Sequence, residues 1–335
     1  MKAAILAPVA WRTPPRHYGP WEQVASNIAE GLIKLGVDVT LFATGDSITA
    51  GKLVSICEKG YEEDHSQDAK VLECLHICNL MERASEFDII HNNFDFLPLT
   101  YTGLINTPMI TTIHGFSSPR IIPVYKKYNS RGHYVSISNA DRSPELEYMA
   151  TVYNGLDTKD FKFTEQPKDY LLYFGRIHHD KGPVEAMEIA KKAKKKLFIA
   201  GIIQDENYFK EKVEPQLNEQ IQYIGPAGPD KRNELLGNAL ALLHPINFAE
   251  PFGMSVAEAM LCGTPVIAFN KGSMPELIQH EKTGFLVDTV DEAVDMITQL
   301  GSIDRKYCRE WANSQFSKEK MAADYLGLYK RILGD

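Results

Sequence analysis

The hydrophobic pattern of this chain runs through one alternation twice. It begins with a nearly unbroken apolar run, Lys2 to Pro8, bounded by the turn-forming stretch Trp11-Arg12-Thr13-Pro14-Pro15, which reads as a buried strand. From Glu22 to Leu35 the apolar positions Val24, Ala25, Ile28, Leu32 and Leu35 recur at helical spacing, and Gly36 ends the segment. Val37 to Phe42 reads as a second strand, so the opening is a strand, helix, strand unit with a right-handed crossover. Further strands are predicted at Asp88 to His91, Pro108 to Ile113 and Tyr134 to Ser138, with a helix over Val71 to Ala84.

The alternation restarts at Tyr170-Leu171-Leu172-Tyr173-Phe174, followed by Gly175, a polar loop and a helix over Val184 to Lys194. Apolar segments at Leu197 to Ala200, Ile221 to Ile224, Ala239 to His244, Val256 to Cys262, Pro265 to Phe269 and Phe285 to Val287 continue it to about residue 300. The expected class is α/β, with two doubly wound Rossmann-like domains facing a cleft. The join falls near Asn154-Gly155-Leu156-Asp157, giving residues 1–155 and 156–316. A last helix, capped by Ser317 and carrying Met321, Tyr325, Leu328 and Ile332 on its apolar side, is expected to return to the first domain, adding residues 317–335 to it.

Composition narrows the functions open to such a chain. Its 335 residues are 44% hydrophobic and 24% charged, enough for two domains with their own cores. The 36 Lys and Arg against 44 Asp and Glu leave a net charge of −8, which argues against a nucleic acid polymer as partner. No apolar run approaches the roughly 20 residues of a membrane-spanning helix, and Ala3 to Ala10 meets its prolines too early for a signal sequence. A cytoplasmic location is expected, with peripheral membrane contact through the basic run Lys191 to Lys196 left open. Cys57, Cys74, Cys78, Cys262 and Cys308 form an odd, scattered set without a CxxC pair, the usage of a reducing compartment. Helical spacing puts His76 on the opposite side from Cys74 and Cys78, so these three read as packing and not as a metal site.

Two familiar nucleotide signatures fail. Gly45 to Lys52 has five residues between its glycines and Leu53 where a P-loop needs Ser or Thr. No G-x-G-x-x-G follows either opening strand, and no D-x-D pair is present to hold a metal on a sugar nucleotide. Neither a metal nor a cofactor is therefore expected. A better signal is Gly175-Arg176-Ile177-His178-His179-Asp180-Lys181-Gly182: one guanidinium and one ammonium in a loop after a strand could converge on a diphosphate. Read alone, it is equally a solvated loop. The second signal is Glu250-Pro251-Phe252-Gly253-Met254-Ser255-Val256-Ala257-Glu258, a tight turn into a helix whose first N–H groups suit phosphate or sugar hydroxyls. Its two acids could equally serve only to complement the helix dipole.

At these residues the sequence resembles a retaining family 4 glycosyltransferase of GT-B fold. Glu250 to Glu258 matches that family's E-x7-E motif, and Gly175-Arg176 to Lys181-Gly182 its G-R-x4-K-G. Asp88-Ile89-Ile90-His91, Thr112-Ile113-His114-Gly115, Asn154-Gly155-Leu156-Asp157, Gly263-Thr264-Pro265-Val266-Ile267 and Pro275-Glu276-Leu277-Ile278 are similar to further segments of it. The resemblance implies that Arg176 and Lys181 hold the donor diphosphate and Glu258 the ribose. It gives the sugar hydroxyls to Glu250 and the N–H groups of Phe252, Gly253 and Met254, and gives phosphate to the N–H groups of Ser255 and Val256. His114 would contact the sugar near its reacting face, which makes His114, Arg176, Lys181 and Glu250 the catalytic set.

One departure stands at the first helix, where the family carries Gly-Gly and this chain has Gly19-Pro20; proline lacks an N–H yet suits a first helical position, so Gly19 keeps a donor-side role. Arg12, Arg16, His17, Tyr18 and His91 fall to the acceptor side. The implied activity is metal-independent transfer, with retention, of a hexosyl group from UDP- or GDP-hexose to a hydroxyl of a sugar, lipid-linked or small-molecule acceptor. A sugar-nucleotide epimerase of the same fold would instead convert the donor alone, and a noncatalytic nucleotide-sugar binding protein would do neither. Base recognition is expected from the loops Gly201 to Asp205 and Tyr223 to Gly228.

Overall fold

The computed structural model describes residues 1–16, 19–116 and 118–334. They form two compact units, Met1–Leu156 with Ser317–Asp335, and Asp157–Phe316. Each unit is built on one wholly parallel sheet.

The first sheet contains β1 (Lys2–Leu6), β2 (Asp38–Phe42), β3 (Lys52–Val54), β4 (Ile89–Asn92), β5 (Met109–Ile113), β6 (His133–Ser136) and β7 (Ala150–Thr151). Its order is β3-β2-β1-β4-β5-β6-β7. Both faces are covered, which explains why β1 reads as a nearly continuous apolar run and not as an alternation, and why the polar residues His91, Asn92, Thr111 and Thr112 of β4 and β5 are buried with their strands. On one face Ala25, Ile28 and Leu32 of the Pro20–Lys34 helix pack with Tyr325 and Tyr329 of the Lys318–Leu333 helix. On the other, Leu72 and Leu80 meet Phe42, Tyr125 and Tyr134.

The C-terminal helix is capped by Ser317, whose hydroxyl accepts from the Lys320 N–H at 3.3 Å, and the Lys318 N–H donates to Leu156 O at 2.8 Å. Its buried stripe runs through Met321, Ala322, Tyr325 and Tyr329, while Leu328 and Ile332 are only half-buried. The unpredicted strands β3 and β7 are three and two residues long, too short at a sheet edge to carry a period.

The second sheet contains β8 (Tyr170–Phe174), β9 (Lys196–Ala200), β10 (Ile221–Tyr223), β11 (Ala241–His244), β12 (Val266–Phe269) and β13 (Gly284–Val287), ordered β10-β9-β8-β11-β12-β13. The strand order reverses between β1 and β4 in the first unit and between β8 and β11 in the second. In open parallel sheets the crevice outside such a switch point is where ligands bind. His76 is fully buried with Nε2 2.9 Å from Ala7 O, and Cys74 is exposed. Among the described residues no helix is long and apolar enough to cross a membrane.

Candidate active site

Both motifs recognised in the sequence follow the strands that flank the second switch point, the 175–182 loop after β8 and the 245–253 loop after β11. Gly182 joins them. It caps the Pro183–Lys192 helix at φ +70°, and a Cβ there would stand 1.9 Å from Pro245 O, so only glycine allows the approach. Lys181 is thereby delivered to Glu250, with which it forms an ion pair whose side chains are only 14% and 12% exposed. The same ammonium lies 4.6 Å from the centre of the Phe248 ring. Gly272, at φ +56°, backs Glu250 closely, since a Cβ would lie 2.3 Å from Glu250 N. His244 ends β11 with Nε2 3.8 Å from the Glu250 carboxylate. Burial holds its imidazole down to about 4, hence neutral, and that buried nitrogen lacks a hydrogen-bond partner among the described residues.

Arg176 is turned to a different neighbour. Its guanidinium donates to Gln204 Oε1 on the 201–205 loop, and Tyr173 donates its hydroxyl to Arg176 O at 2.8 Å. Glu258 pairs with Arg232 at 3.1 Å, burial pushing its carboxyl up and Arg232 opposing that shift. The Met254–Leu261 helix starts after Gly253, at φ +85°. Phe252 anchors this turn by packing edge-on against Phe316, with ring centres 5.6 Å apart. One expectation is corrected here: the Val256 N–H already donates to Gly253 O at 3.0 Å, so of the two assigned to phosphate only Ser255, the second helical residue, stays at the open end. Between Arg176 and Lys181, the ligand atoms of His178, His179 and Asp180 lie within 4.8 Å of one another, with Asp180 already placed against both rings.

In the first unit His114 follows β5. Its Nε2 is 3.1 Å from Asn93 Oδ1, its ring stacks on Trp21 with centres 5.6 Å apart, and its buried Nδ1 has no partner among the described residues. Burial depresses it to about 3, so it acts as a neutral imidazole. Gly19, at φ +150°, leads into the helix with Pro20 first, and Glu22 in the opening turn is buried, accepting from the Trp11 N–H at 3.3 Å. Gly19, Trp21 and Glu22, with residues after β1 and β4, line a cavity of about 500 Å³.

The remaining acceptor-side expectations fare differently. His91 is corrected: it is fully buried, held between Tyr329 Oη at 2.6 Å and Thr112 Oγ1 at 2.7 Å, and braces the C-terminal helix against the sheet. Arg12 donates from Nε to Pro14 O at 2.8 Å, and Arg16 is paired with Glu63 at 2.7 Å and Asp46 at 2.9 Å; neither lines the cavity. His17 and Tyr18 lie outside the described residues. Sequence reasoning did not find His244, Arg232, Asn93 or Trp21, whose importance comes from partners far along the chain. Trp21 alone had a local signal, two residues after Gly19.

Residues 157–316 match the family described as glycosyl transferases group 1, the span of the second unit. The chain as a whole has the GT-B fold. It is 21% identical to the uncharacterized glycosyltransferase MJ1607 of Methanocaldococcus jannaschii over 97% of each chain. Among solved structures, the sucrose-phosphate synthase of Thermosynechococcus elongatus superposes with a TM-score of 0.78 at 17% identity, covering 100% of this chain and 99% of the other. Anabaena HepE, in complex with UDP and glucose, superposes with a TM-score of 0.72 at 18% identity over 99% of this chain and 100% of its own.

Proposed function

We propose that this protein transfers a hexosyl group from a nucleoside diphosphate sugar to an acceptor hydroxyl, with retention and without a metal. The observation that carries the reading is the Lys181–Glu250 pair, held where the loops after β8 and β11 meet beside a helix start. A donor diphosphate offers Lys181 a stronger anion than a single carboxylate. Once Lys181 turns to phosphate, Glu250 is released to accept the donor sugar's hydroxyls, and Arg176 on the same loop adds a second cation.

The chemistry asks for stabilisation of the departing diphosphate more than for a nucleophile. Lys181 and Arg176 supply that charge, Ser255 at the helix start adds a dipole, and Glu258 with Arg232 holds the ribose end. Glu250 is engaged by the donor sugar's hydroxyls and is given no covalent role, and the leaving phosphate oxygen takes the acceptor proton in front-face attack. His114, being neutral, orients sugar hydroxyls without adding charge. A UDP-sugar donor is supported by the ligands of HepE.

The test incubates the protein with UDP- and GDP-hexoses and an acceptor panel, following nucleotide release and the anomeric NMR signal of the product. Transfer with the donor's anomeric configuration is expected, and ligand-induced stabilisation by UDP or GDP should accompany it. Conversion of the donor sugar without acceptor would make the protein an epimerase, and failure of every donor to release nucleotide would leave it a binding protein.

A further inference from the structure

The cavity of the first unit has a composition that the donor site does not explain. It sits where the strand order reverses between β1 and β4, and its lining includes the rings of Trp11, Trp21, Phe94 and Phe96. Three carboxylates share it, Glu22, Glu73 and Asp95, and among the described lining residues there is neither lysine nor arginine. The nearby cations are committed elsewhere, Arg16 to Glu63 and Asp46, and Arg12 to Pro14 O.

Resting on the transferase reading, we propose that this cavity is the acceptor subsite and that it takes an uncharged, hydroxyl-rich sugar ring while rejecting phosphorylated or carboxylated acceptors. Indole and phenyl faces bury the CH face of a pyranose, as they bury any apolar surface. Each carboxylate can accept about four hydrogen bonds, and the protein supplies part of that number: the Trp11 N–H to Glu22, the Tyr61 hydroxyl to Glu73 at 3.2 Å, and the Tyr125 hydroxyl to Asp95. The rest suits hydroxyl donors.

An anionic group would meet three acids and no compensating cation among the described lining. Burial already raises Glu22 to about 7 and Asp95 to about 6 and pushes Glu73 up, so the cavity resists negative charge before any ligand enters. Asp95 is also held at φ +93°, a conformation that a non-glycine residue adopts at a cost and that clusters at functional sites.

The test needs no donor. The chain has three tryptophans, and Trp311 lies in the other unit, its Nε1 donating to Leu277 O at 2.8 Å; in a Trp311→Phe background, indole fluorescence reports Trp11 and Trp21 alone. Methyl α-glucoside, methyl α-mannoside and methyl α-galactoside are titrated beside glucose, mannose and galactose 6-phosphates. At least one neutral ring is expected to shift the emission and to bind about ten-fold or more tightly than its phosphorylated counterpart, a gap worth about 1.4 kcal/mol. Glu22→Gln with Glu73→Gln should narrow that gap, and Trp21→Ala should weaken the neutral ring about ten-fold. Equal or tighter binding of the 6-phosphates, or no response to any neutral ring, overturns the proposal. Binding of neutral rings by a protein that transfers nothing would refute the transferase reading and keep the subsite; transfer to phosphorylated acceptors would do the reverse.

Discussion

The two units present one topology with opposite chemistry. In each, a parallel sheet reverses its strand order and the loops leaving the two flanking strands meet. In the second unit those loops bring opposite charges together, Lys181 to Glu250, with Arg232 and Glu258 paired in the same unit. In the first they bring aromatic rings and carboxylates together with no cation among the described lining. The sheet decides where a ligand is held, and the loop side chains decide which ligand. A site built from internal ion pairs suits a charged substrate that competes for them, whereas an aromatic, acidic cavity suits one that brings hydroxyls.

The strongest way to break this contrast is Lys181→Ala. Loss of one preorganised cation should lower kcat by about 10²–10³-fold, with the acceptor KM little changed. Because Glu250 would be left nearly buried and unpaired, the variant should also lose about 3–5 kcal/mol of stability; adding Glu250→Gln should recover the melting temperature and not the rate. A double variant with near-normal turnover would remove the charge-pair account of the second unit.

Next in size is Gly182→Ala. Its Cβ would stand 1.9 Å from Pro245 O at φ +70°, so a loss of about 2–4 kcal/mol is expected, measurable by denaturant unfolding and accompanied by weaker nucleotide binding. His91→Phe separates scaffold from site in the first unit. Leaving the Tyr329 and Thr112 hydroxyls without His91 should cost roughly 1–3 kcal/mol, while nucleotide affinity stays within about two-fold; a larger loss of affinity would contradict the purely structural place of His91.

The last effect concerns Glu22 and vanishes at acid pH. Its folded carboxyl titrates near 7 against an ordinary 4.5 because of burial, so between those values the folded protein binds more protons than the unfolded one. Stability from this group is full below about pH 4.5 and is lost as pH rises through 7. Glu22→Gln should match the native protein near pH 4.5 and exceed it at pH 8 by up to about 3 kcal/mol, read as a growing difference in melting temperature.

Legibility in the sequence also differed between the units. The 175–182 and 250–258 segments are contiguous, so their residue types and spacing stand out without a structure. The first unit's cavity is assembled from residues after β1, the opening of the Pro20–Lys34 helix, Tyr61, Glu73 in the Ala69–Met81 helix, and residues after β4, and no single stretch displays it. His91 shows the reverse error. Its place at the end of an apolar strand resembled a site position, yet Tyr325 and Tyr329, more than two hundred residues later, enclose it.

By itself the sequence determined the two Rossmann-like sheets, because strands buried on both faces are predominantly apolar and alternate with helices of period 3.6, and the helix caps and turns, because these are local. It also carried the 175–182 and 250–258 motifs as contiguous stretches. The tertiary structure alone decided which charge meets which: Lys181 and Glu250 are 69 residues apart, and they pair because β8 lies beside β11. Sheet order is a long-range property that no periodicity encodes, and the cavity beside β1 and β4 exists for the same reason.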